Sequence, residues 1–288
     1  MTGVVAFLIV GFSPGLFWLW IIYQRDKYLP APVSLVIRTF VWGIVASIPI
    51  AVVAGLLSLG INIEDGHASL VSFAYVAFVV AGGVEEFGKF LVIRRTVYTS
   101  PYLRDPKDGL IFAAAAALGF ASLENVVYML NFGWEVILLR GPVSTLAHVA
   151  FSGLWGAAMG FDRSHPKTHW APYGLVGAMA LHGAFDFFIF SGSEFVSFLL
   201  FIAGALTLFL LLRWAVSTSG RARPISHPSV SCPACHTEQA GFAKFCTDCG
   251  QALAALRSSI RATCSVCGAP VSLVHHFCSA CGGRLAVR

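Results

Sequence analysis

The sequence has very few charged residues. Asp, Glu, Lys and Arg together make up 11% of its 288 residues, whereas 57% are hydrophobic. Soluble domains carry about 25% charged residues, so this composition excludes an ordinary soluble protein and indicates a membrane protein. Cysteine is also absent from residues 1–231, and all eight cysteines follow in the C-terminal tail. The chain therefore divides into two parts with different chemistry.

Long apolar stretches in the first part predict membrane-spanning helices. A helix needs about 20 apolar residues to cross a hydrocarbon core of about 30 Å. Stretches of this kind occupy residues 3–23, 35–59, 70–93, 110–130, 143–161, 172–191 and 195–214. We therefore expect an all-α multi-pass membrane bundle of about seven transmembrane helices, in a domain covering residues 1–216.

Basic residues are concentrated in alternate loops, which predicts the orientation of the bundle. The loops after the first, third and fifth spans, with their flanks, hold Arg25, Lys27, Arg38, Arg94, Arg95, Arg104, Lys107, Arg163 and Lys167. The other loops between the spans hold only Arg140. Short loops rich in Lys and Arg stay on the cytoplasmic side. The N-terminus is therefore expected outside and the C-terminus in the cytoplasm, in a plasma or inner membrane.

A cysteine repeat in the tail predicts two zinc ribbons. After a linker at 217–231, segments 232–250 and 264–282 share the spacing C-x2-C-x10-C-x2-C. The predicted ligands are Cys232, Cys235, Cys246 and Cys249 in the first ribbon and Cys264, Cys267, Cys278 and Cys281 in the second. Four such thiolates surround a structural Zn²⁺ tetrahedrally, and segments this small need a staple to fold. A disulfide framework is the alternative, which a reducing cytoplasm disfavours.

The tail also carries all of the net positive charge. It has 7 basic and 2 acidic residues after position 219, whereas the part before is balanced at 12 of each. Because zinc ribbons most often act as interaction modules, a cytoplasmic protein partner is expected to bind the tail. A nucleic-acid partner is not expected, since the dense interleaving of basic and aromatic residues is missing.

Ionisable residues in the interiors of the predicted spans are confined to four consecutive helices. These residues, with one adjacent amide, are Glu85, Glu86 and Lys89 in the third span, Glu124 and Asn125 in the fourth, His148 in the fifth, and His182 and Asp186 in the sixth. Such groups usually face the interior of a bundle or a water-filled cavity. Asp186 lies one helical turn from His182 and can orient its imidazole. The sequence therefore predicts one polar cavity near the middle of the membrane.

These residues lie in four motifs that occur in a fixed order. The motifs are EEFGK at Glu85–Lys89, FASLEN at Phe120–Asn125, HVAFSGLWGAAMG from His148, and LHGAFDF around His182. Together they resemble the PrsW family of intramembrane proteases and, more distantly, the CAAX-prenyl endoproteases and bacteriocin-processing membrane proteins. The resemblance covers about residues 1–215. It implies hydrolysis of a peptide bond in a membrane protein substrate within the lipid bilayer, in signalling or regulated proteolysis.

Chemistry and resemblance together suggest roles for these residues. The catalytic candidates are Glu85, Glu86, Glu124, His148 and His182, with Lys89, Asn125 and Asp186 in support. Either of the paired glutamates would act as general base on a water. The two histidines would bind a catalytic Zn²⁺ with a glutamate or stabilise an oxyanion without a metal. The wider superfamily has an arginine after EExxx, where this sequence has Lys89 and then Phe90, so Lys89 either pairs with the glutamates or extends to the interface.

Two other functions remain open from the sequence alone. A proton-coupled transporter would also place Glu, His and Asp near the midplane, although no inverted repeat or matched pair of broken helices is visible. A non-enzymatic scaffold that recruits partners through the ribbons would explain the tail. It would not explain why four helices carry buried charge.

Overall fold

The computed structural model describes residues 2–24, 30–63, 68–219, 229–240, 248–253, 262–263 and 270–271. Five of the predicted zinc ligands lie outside these residues, namely Cys246, Cys264, Cys267, Cys278 and Cys281. The chain forms two compact units, residues 1–221 and 222–288.

The first unit is helical throughout its described residues, apart from short connecting turns. Its α-helices are α1 (Thr2–Tyr23), α2 (Val33–Leu57), α3 (Leu70–Ala74), α4 (Glu86–Thr96), α5 (Pro106–Phe132), α6 (Ile137–Leu139), α7 (Thr145–Ser164), α8 (Ala171–Phe190) and α9 (Glu194–Ser219). Two π-helical segments, Tyr75–Glu85 and Arg140–Ser144, each connect neighbouring α-helices without a break. A short 3-10 turn, Trp134–Val136, precedes α6.

Six helices among the described residues are long and apolar enough to cross a membrane. They match six of the predicted spans, and the multi-pass membrane architecture is confirmed. The remaining predicted span, residues 70–93, lies within a continuous helical segment made of α3, the first π-helix and α4. Glu85, Glu86 and Lys89 lie inside this segment.

Helix α5 is the central helix of the bundle and packs against α1, α2 and α7. Nearly all of its residues from Pro106 to Ser122 are buried. Small residues permit this close packing: a Cβ added to Gly119 would collide with the backbone carbonyl of Phe40, and one added to Gly43 would collide with that of Ala116. The backbones of α2 and α5 therefore touch, which leaves no room for larger side chains at this crossing.

Basic side chains from different helices bind backbone carbonyls at one end of the bundle. Arg38 donates to the carbonyl of Thr96 at 3.1 Å, and Arg163 donates to the carbonyl of Leu103 at 3.4 Å. The N-terminus of α5 lies at this same end and is capped by Asp105, which accepts from two backbone N–H groups. The loops that the sequence predicts to be on one side of the membrane are thus neighbours in space.

The second unit contains two short antiparallel hairpins among its described residues. Strand β1 (Ser229–Ser231) pairs with β2 (Glu238–Ala240), and β3 (Ala262–Thr263) pairs with β4 (Pro270–Val271). In the sequence, each hairpin encloses one C-x2-C pair. The repeated cysteine spacing therefore corresponds to a repeated hairpin.

Candidate active site

Glu86 is the most completely bonded residue of the membrane unit's polar cluster. Its Oε1 accepts from Lys89 Nζ at 2.9 Å and lies 3.1 Å from His182 Nδ1. Its Oε2 accepts from Ser152 Oγ at 2.8 Å and from Trp155 Nε1 at 3.0 Å. The side chain has 0% exposure. Both carboxylate oxygens are therefore occupied by protein donors.

Glu85 has a different environment, although it is the adjacent residue. Its Oε2 lies 3.2 Å from Lys89 Nζ and 3.9 Å from His182 Nε2. Within the described part of the chain, its other oxygen has no hydrogen-bond partner, and 15% of the side chain is exposed. The two carboxylates that the sequence treats alike are thus distinct, because one is enclosed and the other is open.

A cavity of about 400 Å³ begins at Glu85. Its polar wall is formed by Glu85, Glu124, Arg140, His148, His182 and Asp186. Ile63, Phe132 and Phe190 also line it. Phe132 and Phe190 end α5 and α8, and Ile63 lies in the connection after α2, so all three are opposite the basic loops. The cavity therefore extends from the polar cluster towards the end of the bundle with few basic residues.

Lys89 lies at the centre of the polar cluster and does not extend to the interface. Its side chain is 1% exposed. Besides the two glutamates, it lies 3.0 Å from His148 Nδ1 and stands over the ring of Phe120 at 4.2 Å. The alternative in which Lys89 reaches the membrane surface is therefore wrong. The buried ammonium is held by two carboxylates, which compensate the cost of removing it from water.

The two histidines are close neighbours with different partners. Their rings are 5.2 Å apart. His148 Nε2 lies 2.9 Å from Glu124 Oε2, and His182 Nε2 lies 3.4 Å from Asp186 Oδ2. Each histidine thus has one ring nitrogen directed towards a carboxylate that lines the cavity. The helical spacing of His182 and Asp186 does bring them together, as the sequence predicts.

The packing of the first π-helix on α8 brings Glu86 next to His182. A Cβ added to Gly82 would collide with the carbonyl of Met179, and one added to Gly183 would lie within 2.8 Å of the backbone of Phe78. The π-helix ends at Glu85 and α4 begins at Glu86. Irregular turns of this kind often occur at functional sites, and here one lies directly before the paired glutamates.

Arg140 is a cavity residue that the sequence analysis does not select. Its guanidinium lies 2.8 Å from Glu124 Oε2 and 3.6 Å from the ring of Tyr128. Its Nε donates to Asn125 Oδ1 at 3.1 Å, and Asn125 in turn donates to Thr145 Oγ1 at 3.0 Å. A signal was present, since Arg140 is the one basic residue in the loops predicted to lie outside.

Ser152 and Trp155 are also missed by sequence reasoning. They follow His148 at positions four and seven residues later, on the same face of α7. Their common acceptor is Glu86. The motif that begins at His148 therefore supplies two cavity residues, His148 and Phe151, and two donors for the enclosed carboxylate.

Three side chains of the membrane unit satisfy the proximity that a metal site requires. The ligand atoms of Glu85, His148 and His182 lie within 4.8 Å of one another. Two imidazoles and one glutamate are the donors of one common type of catalytic zinc site. The residue types and their proximity thus fit a zinc ion.

The described cysteines of the second unit form a similar cluster. The sulfurs of Cys232, Cys235 and Cys249 lie within 4.8 Å of one another, and none of the three is in a disulfide. Cys232 Sγ and Cys249 Sγ are 3.6 Å apart. This arrangement fits the first predicted ribbon.

Comparison with known proteins agrees with this geometry. The family model described as PrsW family intramembrane metalloprotease matches residues 31–214, close to two thirds of the chain. The chain belongs to this family. A second model, described as double zinc ribbon, matches residues 232–282.

Individual relatives carry the same name. Protease PrsW of Geobacillus kaustophilus (strain HTA426) is 30% identical over 224 residues, which cover 76% of this chain and 95% of that protein. Protease PrsW of Bacillus subtilis (strain 168) is 29% identical over 198 residues, which cover 68% of this chain and 88% of that protein. No solved structure matches the chain significantly.

Family membership decides between the functions that the sequence leaves open. The chain is a membrane-embedded peptidase, as the motifs predict. The transporter and scaffold alternatives are not favoured. Because the protease is embedded in the membrane, its substrate is a membrane protein and its surroundings are lipid.

Proposed function

We propose that Glu85 is the general base of this protease and that Glu86 is a positioning residue. The observation that carries this proposal is the contrast between the two carboxylates. Glu85 lines the cavity with one oxygen unbonded among the described residues, so that oxygen can take a proton from the attacking water. Glu86 has no exposed surface and no unbonded oxygen.

Glu86 holds other groups in place. Through Oε1 it contacts both Lys89 Nζ and His182 Nδ1. This contact orients the imidazole so that Nε2 faces Glu85 and Asp186. Orienting partners of this type are usually worth 10- to 100-fold in activity. Asp186 and Glu86 would thus share the positioning of His182.

A catalytic zinc ion would be held by His148 and His182, and Glu85, which lies close to both, would act beside the ion as the base. When bound, the ion would act as a Lewis acid that polarises the carbonyl of the scissile bond. The His148 nitrogen that faces the cavity is the one now 2.9 Å from Glu124. Glu124 would therefore lose its contact with His148 when zinc binds. It would keep its ion pair with Arg140, which already contacts the same carboxylate oxygen at 2.8 Å.

Arg140 would also hold the wall of the cavity in place. It ties Glu124 to Asn125, and Asn125 binds Thr145 at the start of α7. Helices α5 and α7 supply Glu124 and His148 respectively. The planar guanidinium has several donors in a fixed geometry, so it can bind Glu124 and Asn125 at the same time, whereas a lysine has a single nitrogen. Arg140 would thus be a positioning residue.

The substrate would enter from the outer side of the membrane. The cavity extends towards Ile63, Phe132 and Phe190, and the basic loops lie at the opposite end. Since basic loops stay in the cytoplasm, we assign the end of the bundle with the basic loops to the cytoplasm. The C-terminus is assigned to the same side. The scissile bond would then lie in the outer part of the membrane.

The two ribbons would each bind one structural Zn²⁺ in the cytoplasm and would form a module for a protein partner. The cluster of Cys232, Cys235 and Cys249 supports the first site, and the matching spacing supports the second. Recruitment of a partner would make the ribbons a regulatory part of the protease.

The base assignment can be tested with matched carboxylate variants in proteoliposomes that contain a single-span membrane substrate. Glu85→Gln should lower the cleavage rate at least 100-fold, because a carboxamide cannot accept the proton. It should lower the thermal unfolding temperature less than Glu86→Gln does, since Glu85 is the less bonded carboxylate. Glu86→Gln should lower the unfolding temperature. Glu135→Gln, at an exposed residue outside the cavity, is the control and should change neither value.

The proposal fails if Glu85→Gln keeps near-normal cleavage. It also fails if the two variants exchange behaviours, so that Glu86→Gln abolishes cleavage without loss of stability. Neither outcome would challenge membership of the family, because both concern only which carboxylate acts.

A further inference from the structure

We infer that a groove between α2 and α4 binds an anionic phospholipid. The groove has a volume of about 1010 Å³ and lies on the far side of α4 from the cavity. Phe87, Leu91 and Arg95 line it, whereas Glu86 and Lys89 on the other face of α4 are buried in the polar cluster. The groove is therefore a separate feature of the same helix.

The walls of the groove are apolar and open. Trp42 and Val53 of α2 are 47% and 43% exposed, and Phe87 of α4 is 49% exposed. The two helices touch at its floor, where a Cβ on Gly88 would collide with the side chain of Ile50. A space of this shape, long and closed on one side, is suited to acyl chains.

One end of the groove is positively charged. Arg38 and Arg95 both line this end. Arg38 uses part of its guanidinium to bind the carbonyl of Thr96, and Arg95 makes no ion pair with any described residue. Among the residues that the structure describes, no carboxylate lines the groove. Basic pockets between transmembrane helices bind anionic head groups on the cytoplasmic side, so this end is suited to a phosphate.

The length of the groove matches one leaflet. From Arg38 to Val53, α2 rises about 22 Å, at about 1.5 Å per residue. A bilayer with its head groups is about 40–45 Å thick, so one leaflet is about 20–22 Å thick. A lipid whose head group contacts the arginines would therefore extend its chains to the inner end of the groove. Phospholipid fits both the charge and the length, whereas a transmembrane helix would use neither arginine.

The test uses the full-length protein with Glu85→Gln, so that substrate cleavage has no influence. The protein is reconstituted in phosphatidylcholine vesicles that contain bromine-labelled acyl chains on either phosphatidylglycerol or phosphatidylcholine. Bromine quenches nearby tryptophan fluorescence. The signal of Trp42 is obtained by subtracting the same measurement on a Trp42→Phe variant. At equal lipid fractions, phosphatidylglycerol should quench Trp42 more strongly.

Arginine variants then show whether the preference comes from the groove. Each basic residue near an anionic surface is worth about 1 kcal/mol, so Arg95→Gln should reduce the preference roughly fivefold. Arg95→Lys should retain most of it. The matched control is Arg94→Gln, because Arg94 is at the same end but stacks on Tyr98 at 3.7 Å and does not line the groove. This control should keep the preference.

Three results would overturn the inference. Equal quenching by both lipids would remove the preference. An equal loss in Arg94→Gln and Arg95→Gln would assign it to general surface charge. An absence of quenching by either lipid would show that a protein segment, such as a second copy of the chain, covers Trp42.

Discussion

Replacement of Lys89 by Met should destabilise the membrane unit strongly. Methionine keeps the apolar stem of the side chain but removes the ammonium that contacts Glu85, Glu86 and His148. Breaking a buried ion pair by removing one partner costs about 3–5 kcal/mol. Glu86 would still accept hydrogen bonds from other side chains, so we expect the lower end, about 3 kcal/mol of the free energy of unfolding.

The measurement is denaturant-induced unfolding in detergent micelles. Lys167→Met is the control, because Lys167 is exposed in the loop after α7, and surface changes are usually within about 0.5 kcal/mol. Adding Glu86→Gln to Lys89→Met should recover at least about 1 kcal/mol, since it removes a carboxylate that has lost its counter-charge. If Lys89→Met were as stable as Lys167→Met, the buried ion cluster would not be the stabilising element that its geometry indicates.

Three further predictions concern packing, metal and topology. Gly119→Ala should destabilise the protein by about 1–3 kcal/mol through overpacking, as measured by the same unfolding assay. Gly55→Ala is the control and should not destabilise it, because a Cβ at Gly55 meets nothing within 4 Å. Segment 229–288, assayed by metal analysis and circular dichroism, should bind two Zn²⁺ and unfold on chelation; one or no zinc with intact thiols would contradict this. A reporter fused after Val216 should be cytoplasmic, and external labelling there would reverse the orientation.

The sequence predicted the helices well because their lengths are set by the membrane. The predicted span 172–191 corresponds to α8 (Ala171–Phe190), and the span 35–59 corresponds to α2 (Val33–Leu57). Apolar length alone fixes such bounds to within a few residues. The convergence of four helices was also predictable, because buried ionisable groups must find one another in lipid.

The distinction between Glu85 and Glu86 could not be predicted. Adjacent residues on a regular helix point about 100° apart, but which one faces a cavity depends on how the helix is rotated against its neighbours. Here the rotation follows from a π-helix and from contacts of Gly82 and Gly183 with the neighbouring helix. The glycines indicate that the helix backbones approach closely, but the sequence does not show which face of the helix then turns towards the cavity.

Arg140 shows a second reason why the site predicted from the sequence was incomplete. Charge counting treated it as a loop residue, because it lies before the apolar part of the fifth span. In the structure the second π-helix begins at Arg140 and turns its guanidinium inward to Glu124. A residue at the boundary of a span can thus reach the interior through one irregular turn.

The size of the cavity restricts the shape of the substrate. An α-helix about 10 Å wide occupies roughly 400 Å³ for each turn, which is the whole volume next to Glu85. An intact substrate helix of several turns therefore exceeds this volume, whereas a short stretch of a few residues does not. The protease would consequently select substrates by how readily a short stretch of their transmembrane segment unwinds, so that glycine or another weak helix former near the cleavage site would matter more than any particular side chain.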